Sequence, residues 1–213
     1  MDKKLAIIGA GGHGKVVADA ARSMQVWKNI TFFDDIVPVN EIIIADIRNS
    51  GSISDLANIF LPRQYDVVVA IGCNKIRKDY IEKFLALGFS LPNIIHSTAY
   101  ISSLAQIGDG NVFFAKVVVN PGCVIGNGCI VNTSSSIDHD CIIEDFVHIS
   151  PGAHLAGGTS VGLGSWVGIG ACTKQQVHIG CNVIVGAGTV VINDVDSNCT
   201  VVGNPAKKLE RKG

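Results

Sequence analysis

The sequence predicts a two-part chain: a small α/β unit with a parallel sheet over residues 1–98, then a parallel β-helix of hexapeptide repeats over residues 99–213. Three observations predict it. The first hundred residues alternate apolar runs of strand length with helical periodicity, the rest repeats with a period of six, and glycine is abundant, with 24 residues against 8 Phe, 3 Tyr and 2 Trp. Such a composition belongs to a backbone divided by many turns.

The α/β unit opens on KLAIIG (4–9), a continuous apolar run. After a glycine loop, KVVADAARSM places Val16, Val17, Ala20, Ala21 and Met24 on one helical face. ITFFDD (30–35) and YDVVVAIG (65–72) supply two more strands, and IRKDYIEKFLALG (76–88) a helix closed by glycine. Short strand–helix units of this kind imply a parallel sheet covered by helices.

From Ile107 onward, stepping by six meets fifteen positions, of which fourteen are apolar, and the residue two places earlier is nearly always small. Cys123, Cys129 and Cys141 fall in that second row as small packing side chains. With three hexapeptides per coil of 18 residues, the fifteen rungs make about five coils. The rung CTKQQV departs from the pattern at Thr173 and Lys174, where a bulge is expected.

One corner carries unusual charge. In SIDHDC, His139 lies between Asp138 and Asp140. Residues 18 apart stack at about 4.8 Å, which puts His139 beneath Gly157, whose backbone N–H faces a ligand beside the imidazole. A base next to an accessible N–H is the minimum equipment for acyl transfer. One of the aspartates orients the imidazole through its second nitrogen, provided a turn brings them together, because neighbours in an extended chain point apart. A solvated corner without function is the bland alternative.

The loop Gly9-Ala10-Gly11-Gly12-His13-Gly14 satisfies G-x-G-x-x-G between strand and helix, with Asp34 and Asp35 about 20 residues beyond. Alone this suggests a nicotinamide dehydrogenase. The sheet has room for only three or four strands, however, and such a loop cradles any diphosphate. The formal charge of −1 gives no footprint for nucleic acid or an anionic membrane. The N-terminal apolar run is too short for a signal peptide or a span, so a cytoplasmic protein is expected. The seven cysteines form no CxxC pair and no zinc framework. His139, His148, His154 and His178 lack a metal-site spacing, which argues against any bound metal.

The segments GAGGHG, FFDD, AIGCNKIRK, NTSSSIDHDCIIEDFVHISPGAHLAGG and VVGNPAKK follow one another in an order that resembles the PglD and NeuD group of hexapeptide-repeat sugar acetyltransferases, over essentially the whole chain. The resemblance implies a left-handed parallel β-helix that binds acetyl-CoA, an α/β unit that binds a UDP-amino-sugar, and a homotrimer with each active site between neighbouring solenoids. It makes His139 the general base, Asp140 its partner and Gly157 the oxyanion donor. Asn132, His148, Gly157, Gly168, Gly170, Gly186 and Lys207 then follow the cofactor. Gly11, Gly12, His13 and Gly14 surround the sugar diphosphate, Asp34 and Asp35 reach uracil and ribose, and Gly72, Asn74 and Arg77 line the rim. The implied reaction is direct N-acetylation, without metal, of the 4-amino group of a UDP-4-amino-4,6-dideoxy sugar for bacterial glycan biosynthesis. O-acetylation of a sialic-acid-like sugar is the alternative within the fold. A γ-carbonic-anhydrase-like metal protein and a non-catalytic solenoid are the alternatives from other classes.

Overall fold

The computed structural model describes residues 4–210. These fall into two compact units, the chain passing from one to the other between Ser97 and Thr98.

In the first unit, β1 (Lys4–Ile8) lies between β2 (Ile30–Phe33) and β5 (Tyr65–Val69), all parallel, in the order β2-β1-β5. Leu5, Ala6, Ile7 and Ile8 are fully buried, as a central parallel strand with both faces covered requires. Helix α1 (Gly12–Met24) follows β1 and buries Val17, Ala18, Ala20 and Ala21. Helix α3 (Asn74–Ala86) follows β5 and starts two residues before its predicted beginning. Between β2 and β5 the chain adds a hairpin, β3 (Ile42–Ile44) with β4 (Ile47–Arg48), and a short helix α2 (Ile53–Ile59). The sequence reading had missed all three. Ser52 and Asp55 form a reciprocal capping box at the start of α2.

The second unit is a triangular parallel solenoid. Its three faces are named here by one strand each: the Ser136 face (Ser136–Ile137), the Ile142 face (Ile142–Ile143) and the His148 face (His148–Ile149). Strands pair with partners 18 residues on, as in Ser136 with His154 and Ile142 with Ser160. Six strands stack on the Ser136 face, so the solenoid runs longer than the five coils predicted. Tyr100–Ile101 adds a rung before Ile107, and Thr200–Val202 adds one after Val191.

The two rows of the repeat form the interior. Ile137, Ile143 and Ile149 are 0–1% exposed, and so are Ser135, Cys141 and Val147 two places earlier. From Gly110 to Gly188 the corners turn through residues at positive φ, six residues apart: Ser134 (φ 56), Asp140 (φ 59) and Phe146 (φ 58) in one coil.

At Thr173 the expected departure is a local break in the ladder: toward the preceding coil only His154 and Cys172 pair. Thr173 is buried inside the coil and its strand Cys172–Thr173 pairs onward with Val190–Val191. Its hydroxyl accepts the Ala156 N–H at 3.0 Å and shares a bond with the Thr159 hydroxyl at 2.9 Å. A side chain thus replaces one backbone acceptor, and the repeat tolerates a polar residue because that residue is satisfied.

Candidate active site

His139 stands on the corner between the Ser136 and Ile142 faces. The positive φ of Asp140 supplies the turn the sequence left open, since αL geometry folds the Asp140 carboxylate back toward its neighbour. Asp140 Oδ2 lies 2.8 Å from His139 Nδ1. A carboxylate only accepts, so Nδ1 carries the proton and Nε2 keeps its lone pair. Asp138 does a different job: its Oδ1 accepts the His139 N–H and the Asn120 side-chain N–H, each at 2.8 Å. The Asp140 hydrogen bond, with the Asp138 charge behind it, raises the imidazole above its ordinary pKa of 6.5.

Stacking at 18 residues makes room for this corner from both sides. A Cβ at Gly157 would stand 2.5 Å from His139 Nε2, so any side chain there would displace the ring. A Cβ at Gly122, one coil below Asp140, would strike Asp140 Oδ1. Sequence reasoning found Gly157 and missed Gly122, although subtracting 18 from 140 points to it. The Gly157 N–H has no acceptor among the described residues, whereas its carbonyl accepts the Gln176 N–H at 2.9 Å.

The second feature is a cavity of about 420 Å³ along the His148 face and the corner after it. Asn132, His148, Gly168 and Gly186 of the sequence-predicted cofactor residues line it, beside Trp166, Ile169 and Ile184. Gly168 and Gly186 stack one above the other, and a Cβ at Gly168 would come within 2.5 Å of the Val185 carbonyl oxygen. The long apolar wall with few polar groups suits a pantetheine arm. Gly170 and Lys207 are not among the lining residues; Lys207 is an exposed member of the terminal strand Lys207–Lys208. His148 points outward as the alternation requires, yet it is only 6% exposed because its ring stacks on Trp166. His148, His154 and His178 sit on three different faces, so they do not converge within one chain. Among the described residues no three His, Cys, Asp or Glu cluster as metal ligands.

The third feature lies at the C-terminal ends of β1, β2 and β5. Gly11 and Gly12 are exposed at the start of α1, and a Cβ on either would meet no atom within 4 Å. Gly14 is different: a Cβ there would strike the Gly9 carbonyl oxygen, so its glycine serves helix–strand packing. Burial and then the Arg77 charge push His13 down to about 4, so its imidazole is neutral.

Three predicted substrate groups are engaged elsewhere. Asp34 accepts N–H bonds from Ala10 at 2.8 Å, Ile36 at 2.8 Å and Val37 at 3.1 Å. Burial pushes its carboxyl up, but these three donors outweigh burial and leave its pKa below the ordinary value. Asp35 accepts the Ile53 N–H at the start of α2. Arg77 does not line a rim: it is 1% exposed, donating to the carbonyls of Ile71 and Gly72 at 3.2 Å and to Asn74 Oδ1 at 2.9 Å. The guanidinium's fork of donors holds the loop between β5 and α3 from inside.

Known proteins match both halves. Residues 4–84 match the family model of the PglD N-terminal domain. The acetyltransferase domain of PglB from Neisseria gonorrhoeae FA1090 is 47% identical, with 97% of this chain and 100% of that one covered and a TM-score of 0.94. The chain belongs to the PglD-like family of hexapeptide-repeat sugar acetyltransferases. The same domain in complex with acetyl-CoA superposes with a TM-score of 0.94 at 46% identity, covering 98% of this chain and 100% of that one. PerB from Caulobacter crescentus, in complex with CoA and GDP-perosamine, is 33% identical over 99% of both chains, with a TM-score of 0.91. A stretch of 37 residues is 54% identical to the serine acetyltransferase of Synechococcus elongatus, a match that spans 17% of this chain and 15% of that enzyme. The solenoid matches the left-handed parallel β-helix of these acetyltransferases, and the PglB domain is the one seen with acetyl-CoA.

Proposed function

We propose that the chain transfers the acetyl group of acetyl-CoA to the 4-amino group of a UDP-linked 4-amino-4,6-dideoxy sugar. The observation that carries this reading is the corner in which Asp140 orients His139, Nε2 stays free, and Gly157 leaves both space and an N–H beside the ring.

The mechanism is direct. His139 Nε2 takes the proton as the sugar amine attacks the thioester carbonyl, and a C–N bond forms while the carbonyl oxygen becomes an oxyanion. The Gly157 N–H stabilises that oxyanion. Collapse breaks the C–S bond, and the imidazolium returns its proton to the leaving thiolate. Asp140 keeps the ring in one tautomer and stabilises its positive charge in the meantime.

Acetyl-CoA lies in the groove of the His148 face with its thioester near His148. The exposed glycine loop and the first turn of α1 hold the sugar diphosphate, with Gly11, Gly12 and the N–H of Gly14 as donors. Asp34 shapes that cleft by pinning the loop. Arg77 supports Gly72 and Asn74 from behind.

Within one solenoid, the groove and the His139 corner lie on either side of the Ser136 face. A donor in the groove of one chain therefore meets His139 of a neighbour when solenoids pack side by side, and a homotrimer closes that arrangement. Exposed apolar side chains near this corner, among them Val124, Ile142 and Tyr100, favour such packing. A cytoplasmic setting fits both substrates, and among the described residues no helix is long and apolar enough to cross a membrane. Product sugars of this kind serve bacterial surface glycans.

The test is thiol release from acetyl-CoA with UDP- and GDP-linked 4-amino-4,6-dideoxy sugars and their 4-hydroxy counterparts. Release with the UDP-amino sugar alone supports the proposal. Preference for the GDP-linked sugar, the carrier seen with PerB, would replace the nucleotide and keep the chemistry. Release with a sialic-acid-like hydroxyl acceptor would overturn N-acetylation.

A further inference from the structure

His148, Trp166 and Ile184 stand one above another on the His148 face. The lower two meet as rings, with centroids 4.8 Å apart and planes within 14° of parallel. Register alone brings residues 18 apart to about the strand spacing, but it does not make their rings parallel. Two hydrogen bonds fix the planes. The indole N–H of Trp166 reaches back to the Ser150 hydroxyl at 2.7 Å, and the Asn132 side-chain nitrogen lies 3.4 Å from His148 Nε2. Side chains from three successive coils therefore set one imidazole.

The other two histidines at this rung position provide the contrast. His154 and His178 are exposed, with Nδ1 at 2.8 and 2.7 Å from the hydroxyls of Ser136 and Ser160. His148 is 6% exposed, while Trp166, at 39%, lines the groove.

We propose that Trp166, anchored by Ser150, is a positioning residue that holds the His148 imidazole in one plane against the acetyl end of the bound donor. The inference rests on the reading that the groove carries acetyl-CoA with its thioester at His148. A flat partner on the ring restricts rotation about the bond to the imidazole, so the ring does not have to be ordered again as charge develops on the acetyl group. The stack acts on the transition state more than on the ground state, which places its effect in kcat.

A double-mutant cycle tests this, using thiol release with an accepted amino sugar to give kcat and KM for acetyl-CoA. Trp166→Leu is expected to lower kcat about tenfold and to change KM less than about threefold. In a His148→Ala background the same change is expected to cost less than about twofold more. Trp166→Phe, which keeps the stack but loses the N–H, is expected to retain about half of the activity, and thermal melts of both variants check the fold. Multiplicative losses, or an effect of Trp166→Leu confined to KM, would overturn the positioning role and leave Trp166 as a wall of the groove. An unchanged kcat in His148→Ala would overturn the donor placement itself, and the proposal with it.

Discussion

The His139 corner and the glycine loop, the two places that the proposed reaction gives to its reactants, are assembled by opposite means. At the corner every neighbour sits at a fixed count along the chain: Gly157 is 18 residues after His139, Gly122 is 18 before Asp140, and Asn120 is 18 before Asp138. At the loop, partners come from unrelated elements, such as Asp34 bonding Ala10 and Arg77 gripping Ile71 and Gly72. A periodic scaffold lets one residue be altered with its contacts known in advance. A loop cluster spreads the same change over several elements.

Breaking the corner should give the largest effect. His139→Ala is expected to lower kcat about 10³-fold with the proposed trimer intact, checked by thiol release and by mass in solution. Dissociation of the assembly in that variant would show the corner to be structural. Gly157→Ala places a methyl group against His139 Nε2 and should cost about 10²-fold in kcat with little change in melting temperature, because the exposed ring can move aside.

Asp140→Asn sharpens the comparison through pH. Asp140 raises the imidazole above 6.5, so the neutral base is lost below that raised value and the acid limb of kcat/KM lies above 6.5. Removing the carboxylate moves the limb to lower pH and lowers the plateau about tenfold. A limb that stays in place would mean that another group titrates.

At the glycine loop, Asp34→Ala leaves three backbone donors without their acceptor. It should destabilise the chain by about 2 kcal/mol and raise KM for the nucleotide sugar, with kcat changed less than about threefold. Chemical denaturation and steady-state kinetics separate the two effects. Lys207→Ala should be smallest, raising KM for acetyl-CoA about twofold at low salt and not at all at high salt, as an exposed charge near a phosphate would.

The same contrast explains what the sequence disclosed. The solenoid was legible because its interior repeats every six residues, down to the small Cys123, Cys129 and Cys141. The turn at Asp140 was left open, although Gly122, Gly128, Gly152 and Gly158 mark the same six-residue register of positive φ. His148 read as outward, and only the parallel ring of Trp166 shows why it is buried. In the α/β unit the long apolar strands were legible. The hairpin of β3 and β4 and the helix α2 were missed because they are too short to show a period. Arg77 read as a rim residue because an arginine buried against carbonyl oxygens looks, in sequence, like any exposed arginine.

The central claim is that His139 acts as the base for acetyl transfer to a sugar amine. The most direct measurement is the pH profile of thiol release for the unaltered protein and for His139→Ala, with a UDP-4-amino-4,6-dideoxy sugar beside its 4-hydroxy counterpart. The account predicts release with the amine alone, an acid limb above 6.5, and loss of both turnover and limb in the variant. Equal turnover in the variant, or equal release with the hydroxyl sugar, would contradict it.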